Sequence, residues 1–147
     1  MTAYADSGVI AKLYVLEPNS SAAAHLVSPF APPLPLTHLQ ALEVRNALRL
    51  KAFRGEMTRT QLRRTLSRLA DDIRSGRWQL PRYALTDAYR KAEELSGKHA
   101  ASTGCRSLDI LHVAGALVLG VRTFLTFDTC QGKLARKARL RVLPATT

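Results

Sequence analysis

The chain has 147 residues, 46% of them hydrophobic and 22% charged, which is the size of one domain with enough apolar content to fill a core and excludes wholesale disorder. Its 22 Lys and Arg against 11 Asp and Glu leave a formal charge of +11. A small domain carries such self-repulsion for a polyanionic partner, nucleic acid first, with an anionic membrane surface or an acidic protein behind it.

Thr2 to Ala5 is a short β-leaning run ending at Asp6-Ser7-Gly8, after which Val9, Ile10, Leu13, Tyr14 and Leu16 carry helical spacing until Glu17-Pro18. Asn19 and Ser20 can cap a second short helix through Val27, and the proline-rich stretch Pro29 to Pro35 must be extended or looped, with a strand at Leu34 to Leu36. Thr37 caps a long helix ending at Gly55, and Thr58 with Gln61 forms a capping box for another ending at Gly76, so the two predict a helical hairpin. Trp78 to Leu80 reads as a strand, Thr86 as the cap of a polar helix to about Ser102, and Ser107 as the cap of an apolar helix over Leu108 to Leu119 that Gly120 ends. Thr123 to Phe127 is a strand leading into Asp128, a basic helix spans Thr129 to Ala138, and Arg141 to Leu143 is a last strand. Short apolar strands alternating with helices predict an α/β fold whose mainly parallel sheet is covered on both faces, in a single domain over residues 1–147.

The longest uncharged apolar run, Val113 to Val121, is less than half of the roughly 20 residues that cross a bilayer, so no membrane span is expected. Met1 to Glu17 has no basic leader before an apolar stretch and already carries Asp6 and Lys12, so it does not read as a secretory signal. Cys105 and Cys130 form no CxxC pair and lack metal-ligand spacing, which predicts two reduced thiols in a cytoplasmic protein.

Four acids stand in surroundings that solvation does not explain. Asp6 and Asp128 end predicted strands, and in a parallel sheet those carboxyl ends open onto one edge, where ligand crevices form. Asp109 starts a helix that is apolar nearly all round and reaches the same edge. Glu43 falls, at about 100° per residue, inside the stripe of Leu39, Leu42, Asn46, Leu50 and Phe53. Capping accounts for an Asp at any one helix start, but not for Glu43 and not for three acids facing one edge. Clustered carboxylates must be protonated, paired with Arg or hold cations, and an oxygen-only set selects Mg²⁺ or Mn²⁺. In a strongly basic protein that points to phosphodiester hydrolysis, by in-line attack of water that leaves 5′-phosphate and 3′-hydroxyl ends.

The segments Tyr4-Ala5-Asp6-Ser7, Leu42-Glu43-Val44-Arg45-Asn46-Ala47-Leu48, Leu108-Asp109-Ile110-Leu111-His112-Val113-Ala114 and Phe124-Leu125-Thr126-Phe127-Asp128, in this order and spacing, resemble the PIN-domain ribonucleases of the VapC toxin type over essentially the whole chain. The resemblance implies a three-layer α/β/α fold with a protruding helical hairpin, Mg²⁺- or Mn²⁺-dependent RNA cleavage, a homodimer, and neutralisation by a small co-expressed antitoxin. On the same footing, Asp6, Glu43 and Asp109 match the three core acids and Asp128 the more variable fourth, while Ser7, Asn46 and Thr126 match polar neighbours that orient them. Cys130 stands where many relatives carry a charged residue, and Ile110 where a small one often follows the third acid.

His112 shares a helical face with Asp109 and reads as a packed, hydrogen-bonded histidine outside the metal set. Lys133, Arg136 and Lys137 follow Asp128 closely and are the candidates for positioning RNA, whereas Arg59, Arg63, Arg64, Arg68 and Arg74 face out from a helix whose leucines pack. Aromatic residues make up only 6% of the chain, too few for a base-stacking platform. The rival readings are a non-catalytic nucleic-acid-binding module, which leaves Glu43 unexplained, and an aspartyl phosphatase of haloacid-dehalogenase type, which expects an Asp where Gly8 stands. A purely protein-binding role through Ala22 to Ala24 or Leu13 to Leu16 is weaker than either.

Overall fold

The computed structural model describes residues 3–145, so Thr2 lies outside the described residues. The elements run β1 (Ala3–Ala5), α1 (Ser7–Lys12), α2 (Ser20–Val27), β2 (Leu34–Pro35), α3 (His38–Phe53), α4 (Arg59–Arg74), β3 (Trp78–Gln79), α5 (Leu85–Thr103), α6 (Ser107–Val118), β4 (Thr123–Leu125), α7 (Thr129–Lys137) and β5 (Arg141–Leu143). Strands β1, β4 and β5 pair in that order, all parallel, with Ala5, Leu125 and Leu143 in register. Strands β2 and β3 form a second parallel pair. Near β2, Gln40 Nε2 donates to the Ala5 carbonyl at 2.6 Å, so a side-chain amide does there what a neighbouring strand would do.

Side chains alternate across a strand, and the two apolar clusters follow that alternation. Ala3, Ala5 and Leu125 join the cluster built with Val9 and Ile10 of α1, Val44 and Leu48 of α3, Leu69 of α4 and Trp78 of β3. Tyr4, Phe124 and Val142 join the opposite one, with Leu95 of α5, Val113 and Ala114 of α6 and Leu134 of α7. The predicted α/β fold is therefore realised, with α1 to α4 on one face of the parallel sheet and α5 to α7 on the other. Among the described residues no helix is long and apolar enough to cross a membrane.

Local chemistry explains the helix starts with four exceptions. Thr37 with Gln40 and Thr58 with Gln61 form complete capping boxes. Thr86 and Ser107 are not caps, because each helix starts earlier than its polar signal: Ala84 and Arg106 hold the cap positions without a side-chain bond. Asn19 occupies its cap position but makes no cap bond, and Ser20 instead accepts from the Glu17 amide (2.9 Å) and donates to the Val15 carbonyl (2.6 Å). The first helix is also shorter than its spacing suggests. The Leu13 and Tyr14 amides turn back to Ile10 and Ala11, and Leu16 ends fully exposed.

The stripe assigned to α3 is corrected. Leu42, Leu50 and Phe53 are 62%, 43% and 87% exposed, and the packed face is Gln40, Ala41, Val44 and Leu48. A polar Gln and a small Ala mask that face in the sequence, although Gln40 is buried by its bonds to Thr37 and Ala5. Glu43 is half-buried at the boundary of the two faces.

Candidate active site

Parallel register brings the ends of β1 and β4 to one edge. The Asp6 amide donates to the Leu125 carbonyl (2.9 Å) and the Thr126 amide to the Leu143 carbonyl (3.0 Å), so both residues leave the sheet together. Thr126 is buried, and its hydroxyl lies 3.2 Å from Asp6 Oδ2 and 3.0 Å from Gln131 Oε1 while accepting from the Asp128 amide at 3.0 Å. Asp128 caps α7, its Oδ1 accepting from the Gln131 amide at 2.7 Å. Capping thus holds for Asp128, while Asp6 occupies the cap position of α1 without a side-chain cap bond.

Glu43 is held from two sides. Ser7 Oγ donates to its Oε1 at 2.9 Å, and His112 Nε2 is in direct hydrogen-bond contact with the same oxygen. The imidazole is buried, and its Nδ1 lies 2.8 Å from the Tyr4 hydroxyl. Because a carboxylate only accepts, Nε2 carries a hydrogen, and in the neutral ring Nδ1 accepts from Tyr4. Burial raises the Glu43 carboxyl, but the bonds from His112 and Ser7 outweigh it and hold the group below its ordinary value.

Asp109 sits in the first turn of α6. Glu43, Asp109 and Asp128 line one cleft, together with Arg106, Ser107 and Cys130. Burial, followed by the charge of Asp128, pushes the Asp109 carboxyl up. Burial likewise pushes Asp6 up, against the opposing effects of His112 and Thr126. Among the described residues none of Asp6, Asp109 and Asp128 pairs with a Lys or Arg, while outer acids such as Glu56, Asp71, Asp87 and Glu94 do. Also among the described residues, no three of His, Cys, Asp and Glu converge as a ready-made ligand group. The site is an acid-lined edge, with Asp6 outside the lining of the cleft itself.

Of the other sequence-selected residues, Ser7 and Thr126 touch the acids directly. Asn46 is exposed on α3, its side chain making no hydrogen bond among the described residues. Lys133, Arg136 and Lys137 are exposed on α7 and do not line the cleft. Sequence reasoning missed the link from His112 to Glu43 and the part of Tyr4 behind it. The available signal was a histidine within an otherwise apolar helix, since a buried imidazole must find partners for both nitrogens. It also missed that the two cysteines meet: their sulfurs lie 2.6 Å apart as free thiols, and this contact, with burial behind it, pushes the Cys130 thiol up to about 11.

No protein-family model and no curated protein matches this sequence. Among solved structures, the fold is similar to that of a chain in the crystal structure of FitAcB from Neisseria gonorrhoeae. The TM-score is 0.68 and the identity 17%, with 96% of each chain covered.

Proposed function

We propose that the protein is a metal-dependent endoribonuclease that hydrolyses RNA phosphodiester bonds at the strand-end edge, acting as the toxin of a pair with a small antitoxin. The observation that carries this reading is the cleft in which Glu43, Asp109 and Asp128 stand together, with neither Asp ion-paired to Lys or Arg, in a protein of net charge +11. With so many cations available, leaving these carboxylates unpaired costs stability that a bound ion recovers. The motif resemblance supports the nuclease class, the antitoxin and a homodimer, and the shared fold with the FitAcB chain agrees with it.

The donor set fits Mg²⁺ or Mn²⁺: it is all carboxylate oxygen, and at Asp109 the carboxyl is pushed up by burial and by the Asp128 charge, both of which a cation relieves. Such an ion, when bound, supplies activation of water and neutralisation of phosphoryl charge. Ser7 and His112 keep Glu43 ionised and oriented toward the cleft. Thr126 ties the Asp6 carboxylate to the backbone at the start of α7, where the Gln131 amide holds the Asp128 carboxylate. Arg106, exposed on the same cleft, offers a guanidinium to a phosphate, and Lys133, Arg136 and Lys137 offer further charge on α7.

The test is cleavage of a mixed small-RNA pool by the purified protein in Mg²⁺ or Mn²⁺, against EDTA and against Asp109→Asn shown to be folded. Cleavage that needs metal and is lost in the variant, leaving 5′-phosphate ends, supports the reading. RNA binding without cleavage, unchanged by EDTA, would favour a non-catalytic binding module.

A further inference from the structure

We propose that Cys105 and Cys130 are a redox-modification site, a dithiol that closes to an intrachain disulfide in the presence of low-molecular-weight disulfides and reopens with thiols. The inference stands on the thiol geometry and is independent of the nuclease reading. These are the only cysteines of the chain, yet the fold brings them together from positions 25 apart in sequence. Cys105 follows Gly104, whose left-handed φ of 68° ends α5 and turns the chain toward α6. Cys130 lies in the first turn of α7.

Their contact is made from both sides. Cys105 Sγ lies 2.6 Å from Cys130 Sγ and 3.1 Å from the Cys130 carbonyl, while Cys130 Sγ donates to the Thr103 carbonyl at 3.2 Å. Each sulfur is therefore aimed at the other's segment. Access is unequal: Cys105 is buried and Cys130 is partly open on the cleft that also carries Asp109 and Asp128. That asymmetry orders the reaction. Cys130, once deprotonated, attacks one sulfur of a small disulfide such as oxidised glutathione and releases one thiol, slowly at neutral pH because the contact with Cys105 holds its proton. Cys105, as thiolate, then attacks Cys130 Sγ, breaks the mixed disulfide and releases the second thiol. The two cysteine protons end on the two released thiols, and the two electrons reduce the small disulfide. The product staples the α5–α6 turn to the start of α7, the two segments that bring Asp109 and Asp128 to the cleft.

The experiment incubates the full-length protein with oxidised glutathione and reads its intact mass under denaturing, non-reducing conditions, free thiols by alkylation, and Tm. The expected product has lost the mass of two hydrogens, carries no glutathione and no alkylatable thiol, and melts about 5 °C or more above the reduced protein, because a closed loop constrains the unfolded chain. Dithiothreitol restores the reduced mass and Tm. Cys105→Ala, which keeps the partly open thiol, stops at the glutathione adduct, and Cys130→Ser gives no internal bond and no Tm gain. Persistence of both thiols in the wild-type protein, a stable glutathione adduct on it, or a disulfide-linked dimer as the product would overturn the proposal.

Discussion

His112 on α6 and Glu43 on α3 are joined through Nε2 and Oε1, across the edge where the sheet ends. The contact makes the orientation of Glu43 depend on a residue that belongs to the buried face of α6, with Tyr4 of β1 behind it. His112→Ala removes the partner of both Glu43 and the Tyr4 hydroxyl and opens a void, so it is expected to cost about 2–4 kcal/mol in urea unfolding. In a double-mutant cycle with Glu43→Gln, the coupling should be about 1–2 kcal/mol. Additive effects of the two changes would show that the contact does not hold the carboxylate.

Asp109 and Asp128 face one cleft, and both burial and the Asp128 charge raise the Asp109 carboxyl. A carboxyl raised in the fold binds its proton at a higher pH than in the unfolded chain, so its favourable contribution is complete below the unfolded value of about 4 and is lost as pH rises through the folded one. Asp109→Asn abolishes that loss. The metal-free variant should therefore match the wild-type protein near pH 3 and melt above it at pH 7. The check is Tm against pH in EDTA, and a variant less stable than wild type at pH 7 would contradict the assigned repulsion.

Asp6 does not line the cleft of Glu43, Asp109 and Asp128, yet it shares Thr126 with the start of α7. If Asp6 belongs to one ion site with them, Mn²⁺ at a hundredfold excess over its dissociation constant stabilises the protein by about 2.7 kcal/mol, and Asp6→Asn removes most of that gain. Differential scanning fluorimetry with Mn²⁺ titrated into both proteins decides it. Equal shifts would leave Asp6 as a structural acid.

The order of strands and helices and the strand-end position of Asp6 were legible because they rest on local signals: β-leaning runs, capping boxes and terminal glycines. The strand predicted to run to Phe127 and end at Asp128 stops at Leu125 as β4, and Asp128 is instead the cap of α7. The faces of α3 were not. Leu42, Leu50 and Phe53 outweigh Val44 and Leu48 in any hydrophobic count, and only tertiary contacts show that Gln40 is buried by hydrogen bonding to Ala5. Glu43 was thus singled out from a stripe that is in fact exposed, and its place in the cleft has another cause, the bonds to Ser7 and His112. The meeting of Cys105 with Cys130 was equally hidden, since it depends on how α5, α6 and α7 pack. The face assignment has a direct check by chemical denaturation. Leu48→Ala should cost about 2–5 kcal/mol, as a fully buried leucine. Leu50→Ala should stay within about 0.5 kcal/mol, and the reverse ranking would restore the sequence-based stripe.

Lys133, Arg136 and Lys137 are exposed on α7, the helix that Asp128 caps, so a strand of RNA entering the cleft passes near them if they position it. Such contacts release counterions, and each phosphate contact on single-stranded RNA contributes about 0.7 to the slope of log affinity against log salt. Replacing all three by Ala should therefore flatten that slope by about 2 while leaving Tm nearly unchanged, because none of the three is buried. The measurement is RNA affinity at several salt concentrations with catalysis blocked by EDTA. An unchanged slope would move the phosphate contacts to the arginines of α4, where Arg59, Arg63 and Arg64 are also exposed.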